Sequence, residues 1–429
     1  MGIFEDNFLL GAATAAHQVE GNNIHSDCWV MEQMDCSSFA EPSLNACDHY
    51  NRYEEDIRLL KDAGLNAYRF SVEWARIEPV CGQFDVAELD HYEAVVDFCI
   101  KSGIEPIITL HHFSSPAWLM EKGGWESEEV IEYFSRYCGY VIERLKDKVH
   151  YICTINEANM GIQIAELSKK YMEQLMSQAA AGNTEGSLQL GFNLEDMLTN
   201  QKKAAEENRK VFGVENPQSF ISARTAEGDE IICKAHMAAK EMIKKINPEI
   251  KVGLTLSLFD IQILPGGEEK ANEKWQMDFG HYLPYIKEDD FIGVQNYTRC
   301  VMGSDGEQQP GEGVKLTDSG YEFYPFALAN VIRKVAASFK GEILITENGV
   351  ATGDDRERIT YIEEATNGVV GCIKEGIPVK AYLYWSLLDN FEWQKGYGIR
   401  FGLVAVDREN EGRRLPKPSL EFLGSLRGE

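Results

Sequence analysis

Short apolar runs recur along the chain at intervals that suggest a repeating architecture. Each run is six to eight residues long and is bounded by glycine, asparagine or charged residues. Runs of this length with many β-branched and aromatic side chains are typical of buried β-strands. The pattern predicts eight strands, over residues 7–14, 66–72, 106–112, 151–156, 251–257, 291–297, 343–348 and 381–387.

Between these runs, apolar residues recur at helical spacing. Residues 52–64 form an amphipathic pattern that ends at Gly64, and residues 88–103 form another that ends at Gly103. Because parallel strands need a crossover, strands that alternate with helices predict a parallel sheet. Eight such units predict an α/β fold, a closed (β/α)8 TIM barrel, in which residues 1–429 form a single catalytic domain. The other predicted helices cover residues 127–147, 230–246, 325–339 and 357–375.

Residues 158–229 interrupt this alternation after the fourth predicted strand. Ile164, Leu167, Tyr171 and Leu175 have helical spacing, and the remainder of the segment is polar. A separate domain would need more apolar residues to form a core. The sequence therefore predicts that 158–229 is a large loop or insertion within the barrel domain.

Composition narrows the range of partners and locations. The chain has 69 acidic and 42 basic residues, for a formal net charge of -27, which argues against nucleic acid and against a membrane surface as partners. Its ten cysteines show no metal-type CxxC spacing, so we expect buried reduced thiols. The N-terminus has no signal-peptide pattern, and no apolar run approaches the ~18 residues of a membrane span. We therefore expect a cytoplasmic protein.

Two of the predicted strands end in a similar way. Residues 153–158 read "CTINEA" and residues 343–348 read "ILITEN", so Glu157 and Glu347 both stand at strand ends. In a (β/α)8 barrel the carboxyl ends of the strands surround the active site, and the fourth and seventh strands lie across the ring from each other. Two carboxylates that face each other suit the cleavage of a glycosidic bond. The alternative is that each is a solvated loop residue.

Other polar and aromatic residues are predicted at the same rim. Amides, acids and imidazoles can hydrogen-bond sugar hydroxyls, and indole rings can stack on a pyranose. Single members of this set could instead be core residues, and a metal site finds no support from HxH or HExxH spacing. Neither a nucleotide-binding loop nor a GxSxG motif is present. The set comprises Gln18, Glu20, Arg69, His111, His112, Asn156, Tyr297, Trp385, Glu392 and Trp393.

Six segments in a fixed order carry a family resemblance. With "TINEA" and "ITENG" among them, they resemble the family-1 glycoside hydrolases of the β-glucosidase type, and the resemblance spans nearly the whole chain. It implies a retaining mechanism, with the two carboxyl groups about 5–5.5 Å apart, and no metal or organic cofactor. The segments are residues 11–21, 46–77, 110–119, 154–158, 345–349 and 384–407.

The resemblance also implies residue roles. Glu157 would be the general acid/base and Glu347 the nucleophile, while Arg69 and Tyr297 would hydrogen-bond the nucleophile and keep it ionised. Asn156 would contact the 2-hydroxyl of the terminal sugar. The implied substrate-binding set is Gln18, His112, Asn156, Gln295, Trp385, Glu392, Trp393 and Phe401.

These roles predict a retaining exo-β-glycosidase that acts on small-molecule β-glycosides, with β-glucosidase as the first choice. Family members that act on 6-phosphorylated sugars carry a Ser/Lys/Tyr clamp where this chain has Glu392 and Trp393, so we expect an unphosphorylated sugar. A transglycosidase and a β-galactosidase or β-fucosidase remain alternatives. A non-catalytic carbohydrate-binding barrel is disfavoured because both carboxylates are present.

The chain departs from the family pattern at a few positions. Ala158 replaces the proline that usually follows the acid/base, and Gln295 replaces an asparagine near the 2-hydroxyl. Ser114 and Leu10 replace an aspartate and an aromatic residue. We expect the 158–229 segment either to narrow the entrance toward small or aryl aglycones or to form a contact in a homo-oligomer.

Overall fold

The computed structural model describes residues 2–180 and 201–428, and its centre is a closed barrel of eight parallel strands. This confirms the predicted (β/α)8 barrel, with strand bounds within three residues of those predicted. Strands are numbered here in chain order, including five outside the barrel. The barrel strands are β1 Leu9–Ala13, β2 Ala67–Ser71, β3 Glu105–His111, β4 Tyr151–Ile155, β5 Lys251–Ser257, β7 Phe291–Gln295, β10 Glu342–Asn348 and β11 Val379–Trp385.

The register of the strands closes the ring and aligns the rim. Ala13 of β1 pairs with Trp385 of β11 on one side and with Arg69 of β2 on the other. Glu347 of β10 pairs with Gln295 of β7, so the two side chains start from adjacent strand ends. The close packing of strands also limits side-chain size, since a Cβ at Gly11 would lie 1.9 Å from a backbone oxygen of β2.

The strands are buried on both faces, which explains their nearly continuous apolar sequences. Small and medium side chains from around the ring fill the barrel interior, and a larger apolar layer lies between the strands and the outer helices. The interior is therefore a packed core that supports the rim above it. Interior residues include Ala13, Ala67, Ile107, Cys153, Phe291, Leu344 and Ala381.

Helices cover the outside of the ring. The six helices predicted in the crossovers are present, and their ends have identifiable caps: Asp85 accepts a hydrogen bond from the amide of Ala87, and Gly103 has φ +75°. Two of the longer helices, Glu268–Asp278 and Pro418–Ser425, were not predicted from the sequence. The longer helices are His49–Asp62, Val86–Ser102, Glu129–Leu145, Ala226–Ile246, Ala327–Ala336, Asp355–Lys374, Glu268–Asp278 and Pro418–Ser425.

The segment after β4 is more helical than predicted. The spacing of Ile164, Leu167 and Tyr171 correctly indicated a helix, which runs over Met160–Ala180. The polar remainder of the segment, for which no helix was predicted, contains a helix at Gln201–Phe212. Residues 181–200 of the predicted insertion lie outside the described residues, and its assignment to the barrel domain stays a prediction.

Smaller elements lie around the barrel. The strands β6 Asp260–Ile263, β8 Arg299–Gly303 and β9 Gly306–Gln308 form one sheet, and β12 Val404–Asp407 pairs with β13 Arg413–Pro416. Within the described residues, no helix has the length and apolar character needed to cross a bilayer. Short helices are Ala16–Val19, Asp27–Glu32, Trp74–Ile77, Trp118–Glu121 and Leu283–Ile286, with 3-10 turns at Gly124–Glu126, Gly280–Tyr282 and Trp393–Lys395.

Candidate active site

Glu157 stands just beyond the end of β4, in a conformation that few non-glycine residues adopt. Its φ is +42°, in the left-handed region, and its side chain is buried. Its backbone amide donates to Oγ1 of Thr255 at 2.9 Å, and the amide of Ala158 donates to the Thr255 carbonyl at 3.0 Å. The neighbouring strand β5 therefore fixes the turn even though Ala158 replaces a proline. Backbone strain that the surrounding contacts hold in place is common at functional sites.

Glu347 lies within β10 and accepts hydrogen bonds from three side chains. Arg69 Nη1 donates to Oε1 at 2.6 Å, and Gln295 Nε2 donates to the same oxygen at 2.9 Å. The hydroxyl of Tyr297 donates to Oε2 at 2.6 Å. All four side chains are buried or nearly so. Donors of this kind favour the ionised form of a carboxyl group.

The two glutamates differ in their affinity for a proton. Burial, together with the negative charge of Glu347, raises the pKa of Glu157 to about 8, although Ser257 and Arg69 oppose the shift. Burial also raises the pKa of Glu347, but Arg69 and Tyr297 act against that effect. The donors on Glu347 make it the member of the pair that loses its proton first. Near neutral pH the pair therefore holds one protonated and one ionised carboxyl group.

Asn156 joins the nucleophile side of the site to the imidazole of His112. Its Oδ1 accepts from Arg69 and, at 2.7 Å, from Nε2 of Gln295, and its Nδ2 lies 3.2 Å from His112 Nε2. Burial lowers the pKa of His112 well below its usual range, so the ring is neutral. A neutral ring that accepts at Nε2 carries its proton on Nδ1, and that atom has no partner within the described residues.

Aromatic and acidic side chains form the opposite wall. The rings of His112 and Trp385 stack with centroids 5.7 Å apart, and Phe401 packs edge-on against Tyr297. Burial raises the pKa of Glu392 to about 8, so this acid is largely protonated near neutral pH. Among the described residues, buried atoms without a partner include Gln18 Oε1, His112 Nδ1, Gln295 Oε1 and Glu392 Oε1. Unpaired buried polar atoms are costly unless a ligand or water satisfies them.

A cavity of about 760 Å³ contains both glutamates. Nine of the twelve predicted site residues line it: Glu157, Glu347, Tyr297, Gln18, His112, Trp385, Glu392, Trp393 and Phe401. Arg69, Asn156 and Gln295 are instead fully buried behind Glu347. Arg69 and Gln295 donate to Glu347, and Asn156 accepts from both of them. A volume of this size can enclose a terminal sugar together with a leaving group.

Besides Arg69 and Asn156, two further residues of the wider predicted rim do not line the cavity. Glu20 accepts hydrogen bonds from Arg76 at 2.9 Å and from the hydroxyl of Tyr92 at 3.0 Å. His111 is buried against Trp125 and lies 2.9 Å from the hydroxyl of Ser115. Glu20 is satisfied within the protein, and His111 is buried among aromatic rings with its Nδ1 unpartnered among the described residues, so neither lines the site despite its place at a strand end.

Sequence reasoning also missed part of the lining. The side of the cavity near Glu157 is formed by the helix Met160–Ala180, by β8 and β9 and by the loop at residues 319–322. None of these residues stands at the end of a barrel strand, so strand-end positions gave no signal for them. The missed lining residues include Met160, Gln163, Ile164, Leu167, Lys274, Arg299 and Tyr321. Phe113 was also missed, although it follows the end of β3.

One group of potential metal ligands occurs in the described part of the chain, away from this cavity. Ligand atoms of Asp229, Cys233 and His281 lie within 4.8 Å of one another. Asp229 already accepts from Tyr282 at 2.7 Å and from His281 at 2.5 Å, and the guanidinium of Arg224 is 3.5 Å away. A carboxylate with these partners and an adjacent cation is a poor ligand for a metal ion.

The arrangement can carry out a defined type of chemistry. A protonated carboxyl group can donate to a leaving oxygen, and an ionised carboxylate can attack or stabilise the carbon that the oxygen leaves. The unpaired donors and acceptors beside them suit a ligand with many hydroxyl groups. The site therefore has the parts needed for cleavage of an acetal bond in a sugar.

Comparisons with known proteins agree with this chemistry. The sequence model of glycosyl hydrolase family 1 matches residues 1–182 and 268–428. A beta-glucosidase of Agrobacterium sp. is 31% identical over 443 residues, covering 96% of this chain and 92% of the relative. A bifunctional beta-D-glucosidase/beta-D-fucosidase of Bifidobacterium breve is 28% identical over 98% of this chain and 97% of the relative. The crystal structure of beta-glycosidase BGL167 superposes with a TM-score of 0.84 at 41% identity, covering 99% and 97% of the two chains.

Proposed function

The chain belongs to glycosyl hydrolase family 1, and from this premise we propose that it is a retaining exo-β-glucosidase. It is a glycosidase by family, and the proposal concerns its substrate and mechanism. The observation that carries the proposal is the contrast between the two buried glutamates. Glu347 accepts three hydrogen bonds that favour a carboxylate, while burial raises the pKa of Glu157 to about 8.

In the first step, Glu347 attacks the anomeric carbon and Glu157 protonates the leaving oxygen. The product is a glycosyl ester on Glu347 and a free alcohol or sugar. The protonated state of Glu157 at neutral pH supports its role as the acid. Arg69 and Tyr297 keep Glu347 ionised before attack.

In the second step, water replaces the ester. Once Glu347 is esterified its negative charge is gone, and that charge is one of the causes of the raised pKa of Glu157. The pKa of Glu157 then falls, so this residue can act as a base and accept a proton from the attacking water. The same pair of groups thus serves both steps without a metal or an organic cofactor.

The proposed sugar is an unphosphorylated terminal β-D-glucosyl group. Gln18, His112 and Glu392 present unpartnered polar atoms within the described structure, and Trp385 and Trp393 supply aromatic surface. Glu392 can hydrogen-bond to hydroxyl groups in either protonation state, but it cannot supply the positive charge that a phosphate requires. Asn156 and Gln295 support the side of the pocket that faces the 2-hydroxyl. Gln295 donates to Glu347, and Asn156 accepts from Arg69.

A related specificity is the second candidate. The Bifidobacterium breve relative is named for activity on both β-D-glucosides and β-D-fucosides, two sugars that differ in the configuration at carbon 4 and in the presence of the 6-hydroxyl. The neutral form of Glu392 would tolerate the absence of a 6-hydroxyl better than a carboxylate that needs a donor. Transfer to an acceptor alcohol would use the same ester intermediate. A cytoplasmic location accords with ten cysteines that are all free thiols.

The test is hydrolysis of 4-nitrophenyl β-D-glucoside by the wild type and by Glu347→Gly. The variant should lose at least about 10³-fold in kcat, and added azide should restore turnover with α-glucosyl azide as product, because azide enters at the position of the removed carboxylate. Glu342→Gly is the matched control, since Glu342 is a glutamate at the start of the same strand and pairs with Lys251. Undiminished activity in Glu347→Gly, or rescue that gives only glucose, would refute the proposed roles.

A further inference from the structure

A histidine that plays no part in the proposed chemistry lies directly against the sugar pocket. The ring of His17 stacks on the indole of Trp393, with centroids 5.5 Å apart and planes 7° from parallel. Its own side chain is completely buried, and the next residue, Gln18, lines the cavity. Trp393 adopts φ +48°, a conformation that needs support from its neighbours. His17 is one of the groups that give this support.

Both ring nitrogens of His17 have partners that can serve a charged imidazolium. Nε2 lies 2.6 Å from Oε1 of Glu32, and Nδ1 lies 3.1 Å from Nδ2 of Asn23. The Oδ1 atom of Asn23 is buried and has no partner among the described residues. A half-turn of the Asn23 amide would place Oδ1 at Nδ1, so this side chain can accept from a charged ring or donate to a neutral one.

The groups around His17 are mostly acids. Glu32 also accepts from the amide and the hydroxyl of Ser43, and this holds its second oxygen in place. Asp27 faces the ring from the same short helix, and Glu73 faces it from the β2 side of the rim. The cation Arg76 interacts with Glu73 and pairs with Glu20 at 2.9 Å. The negative charges of Glu32, Asp27 and Glu73 therefore favour the protonated ring of His17.

The proton affinities of the cluster follow from this arrangement. Burial lowers the pKa of His17, but Glu32, Glu73 and Asp27 outweigh that effect and the pKa is raised overall. Burial raises the pKa of Asp27 to about 6 and that of Glu73 to about 7. As these acids ionise with rising pH, they help His17 to keep its proton.

The geometry points to His17 as a positioning residue whose imidazolium form holds Trp393 and the adjacent Gln18 for the terminal sugar. This inference rests on the proposed function, because it assumes that Trp393 contacts the sugar. A cation over the face of an indole is attracted by the ring, and a neutral imidazole is attracted less. Loss of the proton from His17 should therefore loosen Trp393 and weaken the binding of the sugar, without removing either catalytic glutamate.

The experiment measures KM and kcat for 4-nitrophenyl β-D-glucoside and Ki for D-glucose between pH 5 and pH 9. In the wild type, KM and Ki should rise about three- to tenfold as pH increases through the pKa of His17. Glu32→Gln removes the closest acid and lowers the pKa of His17, so the rise should begin at a lower pH. His17→Phe keeps an aromatic ring but no charge, so its KM and Ki should be high at every pH.

A second buried histidine–acid pair provides the matched control. His49 Nδ1 lies 2.7 Å from Asp56, and neither residue lines the cavity. His49→Phe should leave the pH dependence of KM and Ki unchanged, even where it lowers stability. If His17→Phe does not fold, the shift of the profile in Glu32→Gln still decides the matter, because the titration of Glu392 in the sugar pocket is common to both proteins.

The outcomes are distinct from failure of the proposed function. A protein that hydrolyses the glucoside with a flat Ki profile, or with the same profile in folded Glu32→Gln as in the wild type, would overturn the role of His17 alone. An equal shift in His49→Phe would also overturn it, because the effect would then be general destabilisation. Absence of hydrolysis by the wild type would instead refute the proposed glucosidase.

Discussion

Gln295 connects two parts of the site through a single amide group. Its Nε2 donates to Oε1 of Glu347 at 2.9 Å and to Oδ1 of Asn156 at 2.7 Å. Methionine has nearly the same length but cannot donate, so Gln295→Met removes both hydrogen bonds with little change in packing. The substitution therefore tests how far this amide, which stands where the family usually has asparagine, supports the nucleophile.

The expected magnitude follows from what remains after the change. Glu347 keeps Arg69 at 2.6 Å and Tyr297 at 2.6 Å, so its charge is still compensated. Loss of one hydrogen bond to a charged group is worth about 1.5–3 kcal/mol, which corresponds to a fall of about 10- to 100-fold in kcat/KM. The remaining donors should keep the loss far below that of Glu347→Gly.

The pH profile gives the sign of the effect. Glu347 must be ionised for attack, so its pKa sets the acid limb of kcat/KM. Removal of a donor to the carboxylate raises that pKa, and the acid limb of Gln295→Met should move to higher pH. The assay is hydrolysis of 4-nitrophenyl β-D-glucoside from pH 4 to pH 8.

A matched control separates this effect from a change in packing. Gln218→Met removes a hydrogen bond to the Asn216 carbonyl outside the cavity, and it should leave the profile in place. An unchanged kcat/KM in Gln295→Met, or an acid limb that moves to lower pH, would refute the reasoning.

Two further predictions follow from the buried charges. Burial raises the pKa of Glu157 from its ordinary value of 4.5 to about 8. The contribution of this carboxyl group to folding is therefore most favourable below pH 4.5, where it is protonated in both states, and it is lost as pH rises to about 8. Glu157→Gln, a mimic of the protonated acid, should therefore raise Tm by roughly 2–4 °C at pH 8 and by less at pH 5, and an equal gain at both would contradict this. Lys274 lines the cavity and pairs with Asp278 at 3.1 Å. Lys274→Met should lower kcat/KM about tenfold more for cellobiose than for the nitrophenyl glucoside, because Lys274 would bind a hydroxyl-rich leaving group. The control is Lys340→Met, at an exposed position. Equal losses for the two substrates would show that Lys274 does not bind the leaving group.

The repeating part of the fold could be predicted because it depends on local patterns. A strand buried on both faces must be apolar along its length, so the runs that became β4 and β10 were visible as such. The positions of Glu157 and Glu347 followed from the strand ends. The helix Gln201–Phe212 could not be predicted in this way, because its sequence is largely polar and gives no apolar face of the usual width.

The hydrogen bonds within the site were less predictable than its members. That Asn156, Arg69 and Gln295 lie behind Glu347 depends on which side chains are long enough to meet below the rim. Likewise, the contact between His17 and Trp393 joins positions 376 residues apart, and no spacing in the sequence indicates it. Such contacts arise from tertiary structure, so local periodicity carries no information about them.

The active site lowers the stability of the folded protein, which explains why it lies on a closed barrel. Glu157, Trp393 and Phe113 all line the cavity with φ between +42° and +68°, and two acids there, the buried Glu157 and the half-buried Glu392, have raised pKa values. Each of these features favours unfolding or a different local structure. A closed barrel can maintain them because its packed interior and continuous strand pairing leave the rim residues few alternative conformations. The strain and the shifted pKa values thus have one cause, since the same enclosure that restricts the backbone also excludes water from the carboxyl groups.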